Sequence, residues 1–303
     1  MKNLDLKLGY SCNNNCIHCV ITDYKKELIR NKISLDLTTD EILKRINENY
    51  NSIVITGGEP TIRKDFLEIL EKAKEHSNIV LLQTNGRKFS QKEFIEKIKN
   101  ISFIPVIALH SYNEEIHDKI TRVKGSYKET IEGIKNLVKN NYNVYIKLVI
   151  SNLNKNDLFE TYKLVKNLGA KNLEIAFPHA LGNARINWDL VVPRYYELKK
   201  EIRKIIEDSK KTNFKVSFEA FPMCILGKGN EIFSSDVKEF YRIQKKIKSI
   251  FQPVNKEKKN WDLLKAENRK KFIKCKSCIY DFICFGPWKE YVEKYGDEEF
   301  KPL

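Results

Sequence analysis

Three cysteines, Cys12, Cys16 and Cys19, lie within eight positions of one another in the segment YSCNNNCIHCV. Thiolates spaced by three and two residues on a tight loop can bind three irons of a four-iron cluster, and the fourth iron then has no protein ligand. Such an iron is open to a substrate or a cofactor. Zinc is the alternative, with His18 as a fourth ligand, although His18 lies between two of the other ligands and would strain the loop.

A second group of four cysteines follows much later in the chain: Cys224, Cys275, Cys278 and Cys284. In a reducing compartment, seven cysteines are more typical of metal ligands or reactive thiols than of structural disulfides. Four thiolates would complete the coordination of an iron–sulfur cluster or form a structural zinc site. If Cys224 is not a ligand, one iron of such a cluster stays open.

The first two thirds of the chain alternate short apolar runs with amphipathic segments, which predicts parallel strands joined by right-handed helical crossovers. The predicted strands span residues 4–9, 52–56, 79–83, 103–109, 144–150 and 173–177. The predicted helices span residues 38–50, 64–76, 90–99, 127–140, 155–168 and 193–209. These six pairs indicate an α/β fold, either a doubly wound sheet or an incomplete barrel.

This alternation changes beyond about residue 213. The segment FKVSFEAFP predicts one more strand leading to Cys224, and a lysine-rich stretch from 228 to 274 follows without a clear pattern. We therefore expect two domains, 1–212 and 213–303, of which the second is small enough to need a metal for stability. Aromatic residues at helical or turn spacing are expected to form its core: Trp288, Tyr291, Tyr295 and Phe300.

Residues able to bind ligands follow the predicted strands one after another. In both candidate folds, sites form at the C-terminal ends of the strands. Glycines there would let the backbone approach a ligand, and the carboxylate of Glu59 would accept a charge-assisted hydrogen bond from an ammonium group. The residues are Gly57, Gly58, Glu59 and Pro60 after the second strand, Asn85 and Gly86 after the third, and His110 and Ser111 after the fourth.

The cysteine motif after the first strand, together with GGEP after the second, resembles the radical S-adenosylmethionine (radical SAM) superfamily over residues 4–185. The resemblance implies a partial (β/α)6 barrel and a [4Fe–4S] cluster held by Cys12, Cys16 and Cys19. It also implies that the open iron binds S-adenosylmethionine, whose reductive cleavage gives a 5'-deoxyadenosyl radical that abstracts hydrogen from a substrate. The implied cofactor-binding residues are His18, Gly57, Gly58, Glu59, Pro60, Asn85, Ser111 and Arg122.

Within this resemblance, His18 corresponds to a position beside the adenine, Ser111 to one near the ribose, and Arg122 to one near the methionine carboxylate. Two further histidines, His110 and His179, are candidates for substrate contact. His117 is a weaker candidate because it is expected to lie on a turn with Asp118.

The spacing Cys275-x2-Cys278-x5-Cys284, with Cys224 upstream, resembles the auxiliary-cluster regions called SPASM and twitch domains. The full SPASM pattern has seven cysteines and two clusters. Here another cysteine expected soon after Cys284 is absent, and Trp288 lies near its place, so one auxiliary [4Fe–4S] cluster of the twitch type fits better. A closed cluster favours electron transfer over substrate binding. A zinc knuckle is the alternative.

Composition limits the setting. Of 303 residues, 42% are hydrophobic and 31% charged, and no apolar run approaches the roughly 20 residues of a membrane helix. With no signal peptide at the start, we expect a cytoplasmic protein without a membrane partner. The formal charge is +15. Because lysines alternate with glutamates along the predicted helices, a solvated surface is expected more than a nucleic-acid interface.

The expected function is that of a radical SAM oxidoreductase or maturase that modifies a peptide or protein by oxidation or crosslinking. The alternative is dehydrogenation or rearrangement of a small molecule such as a sugar, nucleotide or cofactor precursor. The resemblance implies a low-potential electron donor such as ferredoxin or flavodoxin. Because few residues precede Cys12, a separate leader-peptide-binding protein or a non-peptide substrate is expected. A different class is a non-catalytic iron–sulfur or zinc protein that binds nucleic acid.

Overall fold

The computed structural model describes residues 2–254 and 256–303, which form one nine-stranded sheet with helices around it. The strand order is β7-β6-β5-β4-β3-β2-β1-β8-β9, and every neighbouring pair is parallel except β8 and β9. The strands are β1 (Lys2–Lys7), β2 (Ser52–Thr56), β3 (Val80–Thr84), β4 (Ile104–Ala108), β5 (Tyr145–Val149), β6 (Asn172–Ala176), β7 (Lys215–Glu219), β8 (Lys248–Gln252) and β9 (Lys259–Asn260). This open, largely parallel sheet confirms the predicted α/β partial barrel.

Helices connect successive strands, as parallel pairing requires. In the described residues they are α1 (Thr22–Arg30), α2 (Thr39–Arg45), α3 (Phe66–His76), α4 (Lys92–Ile98), α5 (Glu114–Thr121), α6 (Ser126–Lys139), α7 (Leu158–Asn167), α8 (Asn183–Ile186), α9 (Trp188–Val191), α10 (Tyr195–Thr212), α11 (Met223–Leu226), α12 (Ser235–Gln244), α13 (Trp261–Glu267) and α14 (Lys289–Tyr295). Each predicted strand and helix of the first two thirds is present, with ends shifted by a few residues. The largest difference is α2, which ends at Arg45 rather than near residue 50.

The helix α5 corrects one expectation. His117 lies inside this helix and is 1% exposed, so it is not on a turn. The helix begins where the Asn113 side chain accepts a hydrogen bond from the backbone N–H of Ile116, which caps its first turn. Asp118 accepts hydrogen bonds from the start of α6, including 2.8 Å contacts with Ser126 Oγ and the N–H of Tyr127. His117 therefore belongs to the buried face of a capped helix.

The segment from 228 to 274, for which the sequence predicted no element, forms α12, β8, β9 and α13. Strand β8 has the sequence KSIFQ, and its buried positions are Ser249 and Phe251. Because one inward position is a serine, the apolar alternation that marks a strand is lost. Ser249 donates its hydroxyl hydrogen to Asp262 of α13 at 2.5 Å, so the polar residue is satisfied inside the fold.

Buried charges hold α12 and α13 against the sheet. Lys147 of β5 pairs with Glu219 of β7 at 2.6 Å, and Glu219 pairs with Lys265 of α13 at 3.0 Å. Lys265 also pairs with Glu239 of α12. Burial raises the pKa of Glu219, but the two lysines outweigh it and hold that pKa well below its usual value. The carboxylate therefore stays charged and links the sheet to both helices.

The end of the chain packs onto the barrel. The Tyr291 ring lies 4.8 Å from the Tyr195 ring of α10 and 5.6 Å from the Phe177 ring after β6, centroid to centroid. The expected aromatic core of the last segment is thus continuous with the core of the first. Strands β7 and β8 also lie beyond residue 212 yet pair with β6 and β1. A division into domains at residue 212 stays a prediction.

No helix in the described ranges combines the length and the apolar character that crossing a bilayer requires.

A buried ion pair joins α12 to the segment before the last cysteines. Arg269 donates to both carboxylate oxygens of Asp236 at 3.0 Å, and the two side chains are 1% and 4% exposed. Arg269 also donates to the carbonyl oxygen of Gly286 at 3.0 Å and lies 3.8 Å from the centre of the Trp288 ring. The guanidinium therefore connects three parts of the C-terminal region.

Replacing Arg269 with alanine is expected to lower the free energy of unfolding by about 3–5 kcal/mol, because Asp236 would remain buried without its partner. The control is Lys271→Ala, which removes a partly exposed pair with Asp281 and should cost about 0.2–1 kcal/mol. Urea denaturation of the two variants and the unaltered protein measures both effects. Equal losses in the two variants would contradict a structural role for the buried pair.

Candidate active site

The first cysteine group lies on a loop, residues 8–21, between β1 and α1, which we call the cysteine loop. All three cysteine residues are partly exposed. The loop turns tightly where the backbone N–H of Cys19 donates to the carbonyl oxygen of Cys16 at 3.2 Å. The N–H of Asn14 donates to Cys12 Sγ at 3.3 Å. The structure thus brings the three predicted ligands together on one accessible turn.

The GGEP turn, Gly57–Pro60, is hydrogen-bonded directly to the cysteine loop. The N–H of Gly58 donates to the carbonyl oxygen of Gly9 at 2.9 Å, and the N–H of Glu59 donates to that of Ser11 at 2.8 Å. A Cβ on Gly57 would lie 2.3 Å from the Gly9 oxygen, and a Cβ on Gly58 would lie 2.0 Å from the Ser11 oxygen. The close approach that these glycines permit here is between two loops of the protein.

Glu59 is 3% exposed, and four donors surround its carboxylate. Oε1 accepts from the N–H and hydroxyl of Thr61 at 3.1 and 2.6 Å and from the Thr84 hydroxyl at 2.7 Å. Oε2 accepts from the N–H of Asn85 at 2.7 Å. Burial raises the pKa of Glu59, and these hydrogen bonds offset part of the rise. Because Oε1 already accepts three hydrogen bonds, only Oε2 can accept another, from the ammonium group that the sequence predicted as the partner of Glu59.

Asn85, after β3, reaches the cysteine loop with its side chain. Its Nδ2 donates to Asn13 Oδ1 at 2.7 Å, and its Oδ1 accepts from the N–H of Arg87 at 3.1 Å. Arg87 in turn donates to the carbonyl oxygen of Asn13 at 2.7 Å and to Asn14 Oδ1 at 2.8 Å. Asn13 and Asn14 of the CNNNC segment are therefore fixed by the loop after β3, and the sequence did not predict this role for Arg87.

The loop after β4 and the end of α5 border the same turn. Ser111 is fully buried, and its hydroxyl accepts from the N–H of Asn113 at 3.0 Å. Arg122 ends α5 in the left-handed region, with φ of 58°, and its exposed side chain donates to Asn187 Oδ1 at 2.9 Å. The N–H of Ile17 donates to the carbonyl oxygen of Ile120 at 2.9 Å. Arg122 therefore lies near the cysteine loop, and the predicted ribose and carboxylate contacts stay predictions.

Three histidines form a row that starts in the cysteine loop: His18 is partly exposed, whereas His110 and His117 are buried. The ring centroids of His18 and His110 are 4.6 Å apart, and those of His110 and His117 are 5.7 Å apart. His117 Nδ1 accepts from the N–H of His110 at 3.2 Å, and His110 Nδ1 accepts from the N–H of Val149 at 3.3 Å. Burial lowers the pKa of His18 and of His117 to about 4 and that of His110 well below its usual value. All three imidazoles are therefore neutral at pH 7.

Two of these histidines lie close enough to Cys16 to be considered as zinc ligands at the first site. One candidate ligand atom each from Cys16, His18 and His110 lies within 4.8 Å of the others. Because Nδ1 of neutral His110 already accepts a hydrogen bond, its proton is on Nε2, which is then a donor and not a ready metal ligand. The donor set fits three thiolates on an iron–sulfur cluster better than a zinc ion shared with histidines.

Burial favours the protonated form of two of the three thiols, those of Cys12 and Cys16. Burial raises the pKa of Cys12 to about 11, and burial with the nearby cysteines raises that of Cys16 further. Metal binding must therefore displace these protons, as thiolate ligation requires.

The loop after β6 also contacts the cysteine loop, which the sequence did not predict. The N–H of Asn183 donates to the carbonyl oxygen of Cys19 at 2.9 Å, and its side-chain Nδ2 donates to that of Cys16 at 2.9 Å. Gly182, with φ of 56°, would place a Cβ 2.6 Å from the Cys19 oxygen. The glycine and asparagine that follow the sixth predicted strand were the available signal, because sites form at strand ends.

The second cysteine group lines one cavity. Lys271 and Asp281 also line this cavity, and the four cysteines are Cys224, Cys275, Cys278 and Cys284. Cys224 lies in α11, directly after β7, so the barrel supplies one of the four thiols. Burial, together with the three neighbouring cysteines, raises the pKa of Cys224 to about 12. The convergence of all four thiols fits a metal centre.

A ring stack joins the loop after β6 to the C-terminal region. His179, three residues after β6, stacks on Trp288 with 3.9 Å between ring centroids and 2° between planes. Trp288 donates its indole N–H to the carbonyl oxygen of Phe177 at 3.4 Å, and His179 Nε2 lies 3.4 Å from Glu290 Oε1. The loop after β6 therefore contacts the cysteine loop at Asn183 and the C-terminal region at His179. The predicted substrate contact of His179 stays a prediction.

The open parallel sheet and the contact between the cysteine loop and the GGEP turn indicate the protein's class. The protein-family model of the Radical SAM superfamily matches residues 6–165, more than half of the 303 residues. The chain therefore belongs to the radical SAM superfamily. It is an enzyme, and its cofactors are a [4Fe–4S] cluster and S-adenosylmethionine. This membership confirms the prediction of an enzyme over that of a non-catalytic nucleic-acid-binding protein.

Curated relatives show several chemistries. The chain is 27% identical over 207 residues to an AdoMet-dependent heme synthase of Methanosarcina barkeri, covering 64% of this chain and 58% of the relative. It is 29% identical over 219 residues to a probable GTP 3',8-cyclase of Saccharolobus islandicus, covering 67% and 68%. Identity to the mycofactocin maturase MftC of Mycolicibacterium smegmatis is 30% over 194 residues, covering 63% and 48%. The match thus spans about half to two thirds of each relative.

Solved structures share the fold over nearly the whole chain. Streptococcus suis SuiB bound to S-adenosylmethionine aligns with a TM-score of 0.60 and 16% identity, covering 99% of this chain and 76% of SuiB. The enzyme anSMEcpe, with bound AdoMet and a Cp18Cys peptide, aligns with a TM-score of 0.65 and 16% identity, covering 99% and 92%. At this identity the likeness shows the fold alone.

Replacing Gly58 with alanine is expected to reduce cluster loading at the first site several-fold, because the new Cβ would collide with the Ser11 carbonyl and separate the two loops. Gly125→Ala is the matched control, since its Cβ would meet nothing within 4 Å and only the left-handed backbone is penalised, by about 1 kcal/mol. Iron and sulfide counted after anaerobic reconstitution measure loading. Full loading of the Gly58 variant would show that the contact between the loops is dispensable.

Proposed function

We propose that this radical SAM enzyme modifies a peptide or protein substrate, by oxidising a side chain or forming a crosslink, and that it carries an auxiliary [4Fe–4S] cluster. The observation that carries the proposal is the single cavity lined by all four cysteines of the second group. A second redox centre suits a net oxidation, because the substrate radical has to lose a further electron.

Structural neighbours support a peptide substrate. SuiB has also been solved with its precursor peptide SuiA, and anSMEcpe with a Cp18Cys peptide. Both align over 99% of this chain, so the alignments include the C-terminal cysteines. The maturase MftC is a further relative by sequence. A separate leader-peptide-binding protein and a low-potential donor such as ferredoxin or flavodoxin are proposed partners.

At the first site, we assign the three cluster ligands to Cys12, Cys16 and Cys19. When bound, the cluster and S-adenosylmethionine supply a 5'-deoxyadenosyl radical that abstracts hydrogen from the substrate. The chain's own part is to hold these cofactors in place: the GGEP turn and Asn85 fix the cysteine loop from one side, and Asn183 fixes it from the other. The proposed contacts to S-adenosylmethionine are His18, Gly57, Gly58, Glu59, Pro60, Asn85, Ser111 and Arg122.

At the second site, Cys224 is proposed to complete the ligand set of Cys275, Cys278 and Cys284. Four thiolates leave no iron open, which favours accepting an electron over binding substrate. Four thiolates also suit a structural zinc ion, and that alternative would leave the oxidation without its internal electron acceptor. The iron and zinc contents decide between the two.

A small-molecule substrate is the second candidate function. It is favoured by sequence similarity to the heme synthase and the GTP 3',8-cyclase, whose names describe reactions on small molecules. Under this proposal the same site would dehydrogenate or rearrange a sugar, nucleotide or cofactor precursor. Fractions of anaerobic cell extract that stimulate 5'-deoxyadenosine release would separate the candidates by the size of the stimulating molecule.

The reduced protein is expected to release 5'-deoxyadenosine from S-adenosylmethionine, slowly even without substrate, and Cys16→Ala should reduce the release to background. Chromatography of the quenched reaction measures the product. Release that persists in the Cys16 variant would contradict the assignment of the first site.

After reconstitution, about eight irons per chain with little zinc are expected, as two four-iron clusters require. Cys224→Ser and Cys16→Ser are reciprocal controls, and each should weaken one cluster while the other keeps about four irons. About four irons and one zinc in the unaltered protein would contradict the auxiliary cluster and leave the radical chemistry intact.

A further inference from the structure

Exposed apolar side chains surround the second cysteine group. Ile273 is 87% exposed, Ile279 50% and Phe282 69%. Each lies within two residues of a cysteine in the compact turns between residues 273 and 284. Clustered exposed apolar groups of this size often mark an interaction site.

The same turns are basic. Residues 270–282 contain four lysines and one aspartate, which gives this segment a formal charge of +3. The aspartate, Asp281, is paired with Lys271 at 2.8 Å. Lys274 is paired with Asp297 at 3.1 Å, and Lys270 and Lys276 lie near the apolar residues in sequence. An apolar centre with a charged rim is the usual anatomy of a protein interface.

Helix α12 extends this surface. The Phe282 ring lies 6.3 Å from the Phe240 ring, and Tyr241, the next residue, is 52% exposed. We call residues 270–282 and Tyr241 the auxiliary face. The auxiliary face consists of few residues. A small surface of this kind suits a transient redox complex, whose interface buries less than about 1,200 Å².

Two of the four cysteines, Cys275 and Cys278, belong to the auxiliary face. Cys275 and Cys278 are partly exposed, and Lys271 and Asp281 of the face line the cavity that holds all four thiols. The N–H of Leu303 donates to Cys278 Sγ at 3.5 Å, so the end of the chain covers another side of the same thiol. A protein seated on the auxiliary face would therefore be in contact with the edge of the proposed cluster site.

We propose that the auxiliary face is the docking site of a small acidic electron-carrier protein. Apolar contacts at Ile279 and Phe282 would hold the partner, and the lysines would steer its acidic surface. The proposal rests on the proposed function, because an electron carrier gains from docking here when the four cysteines hold a redox cluster. Its basic rim favours an acidic carrier over a second copy of this chain, whose own formal charge is +15.

The test uses a small acidic ferredoxin in its oxidised form as the probe, with the reconstituted full chain. The dissociation constant is measured by fluorescence anisotropy at low and high salt. Phe282→Asp and Ile279→Asp are each expected to weaken binding about tenfold. Ile79→Asp is the matched control, because Ile79 is 49% exposed but precedes β3 at the sheet edge opposite the cysteines. This control should leave binding unchanged.

A charge pair of variants tests the steering. Lys276→Glu should weaken binding several-fold and flatten its salt dependence, whereas Lys139→Glu, an exposed lysine at the end of α6, should have little effect. The docking site would be overturned if variants of the auxiliary face weakened ferredoxin binding no more than the control variants Ile79→Asp and Lys139→Glu.

Two further measurements separate this inference from the proposed function. Iron and zinc are counted in every preparation, and 5'-deoxyadenosine release is measured alongside. Two clusters and normal release, with ferredoxin binding indifferent to Phe282→Asp, would overturn only the docking site. One cluster with zinc would overturn the proposed auxiliary cluster instead. If sedimentation shows that Phe282→Asp dissociates an oligomer, the face is a self-interface and the docking proposal is wrong.

Discussion

The site depends on one backbone contact, the pair of hydrogen bonds from the GGEP turn to the cysteine loop. Two strands that are neighbours in the sheet, β1 and β2, end side by side, and their following loops meet without any side chain between them. The donors are the N–H groups of Gly58 and Glu59. The two loops can approach this closely because Gly57 and Gly58 have no Cβ. The carboxylate of Glu59 then ties this pair to the end of β3 by accepting from the Thr84 hydroxyl and the Asn85 N–H. Backbone contacts between neighbouring loops thus help to position the loop that carries the thiols.

Much of this arrangement could be predicted because it follows from strand order. Parallel strands place successive loops at one edge, so motifs separated by tens of residues in sequence had to meet there. The role of each residue in these adjoining loops was harder to predict. The sequence suggested that Gly57 and Gly58 let the backbone approach a ligand, which stays a prediction, and the structure shows that the backbone of Gly9 and Ser11 approaches them. A missing side chain reveals that something approaches closely, but not what approaches.

Other omissions have a common physical cause, which is polar residues in buried positions. Strand β8 escaped prediction because Ser249 occupies an inward position and is satisfied by Asp262. Arg269 reads as one more basic residue in a lysine-rich stretch, yet it is buried with Asp236. His117 was expected on a turn with Asp118, whereas it lies on the buried face of α5 with Ile120 and Thr121. Periodicity detects apolar burial and cannot detect burial of paired polar groups.

Strand β1 has consequences for how the chain acquires its fold. It pairs with β2, which begins at Ser52, and with β8, which begins at Lys248. Until residues 248–252 have been synthesised, one edge of the strand that leads into the cysteine loop has no partner. An unpaired edge invites wrong pairing, and contacts so distant in sequence form slowly. Folding during synthesis therefore leaves the first cysteine group on an incompletely supported strand until most of the chain has emerged.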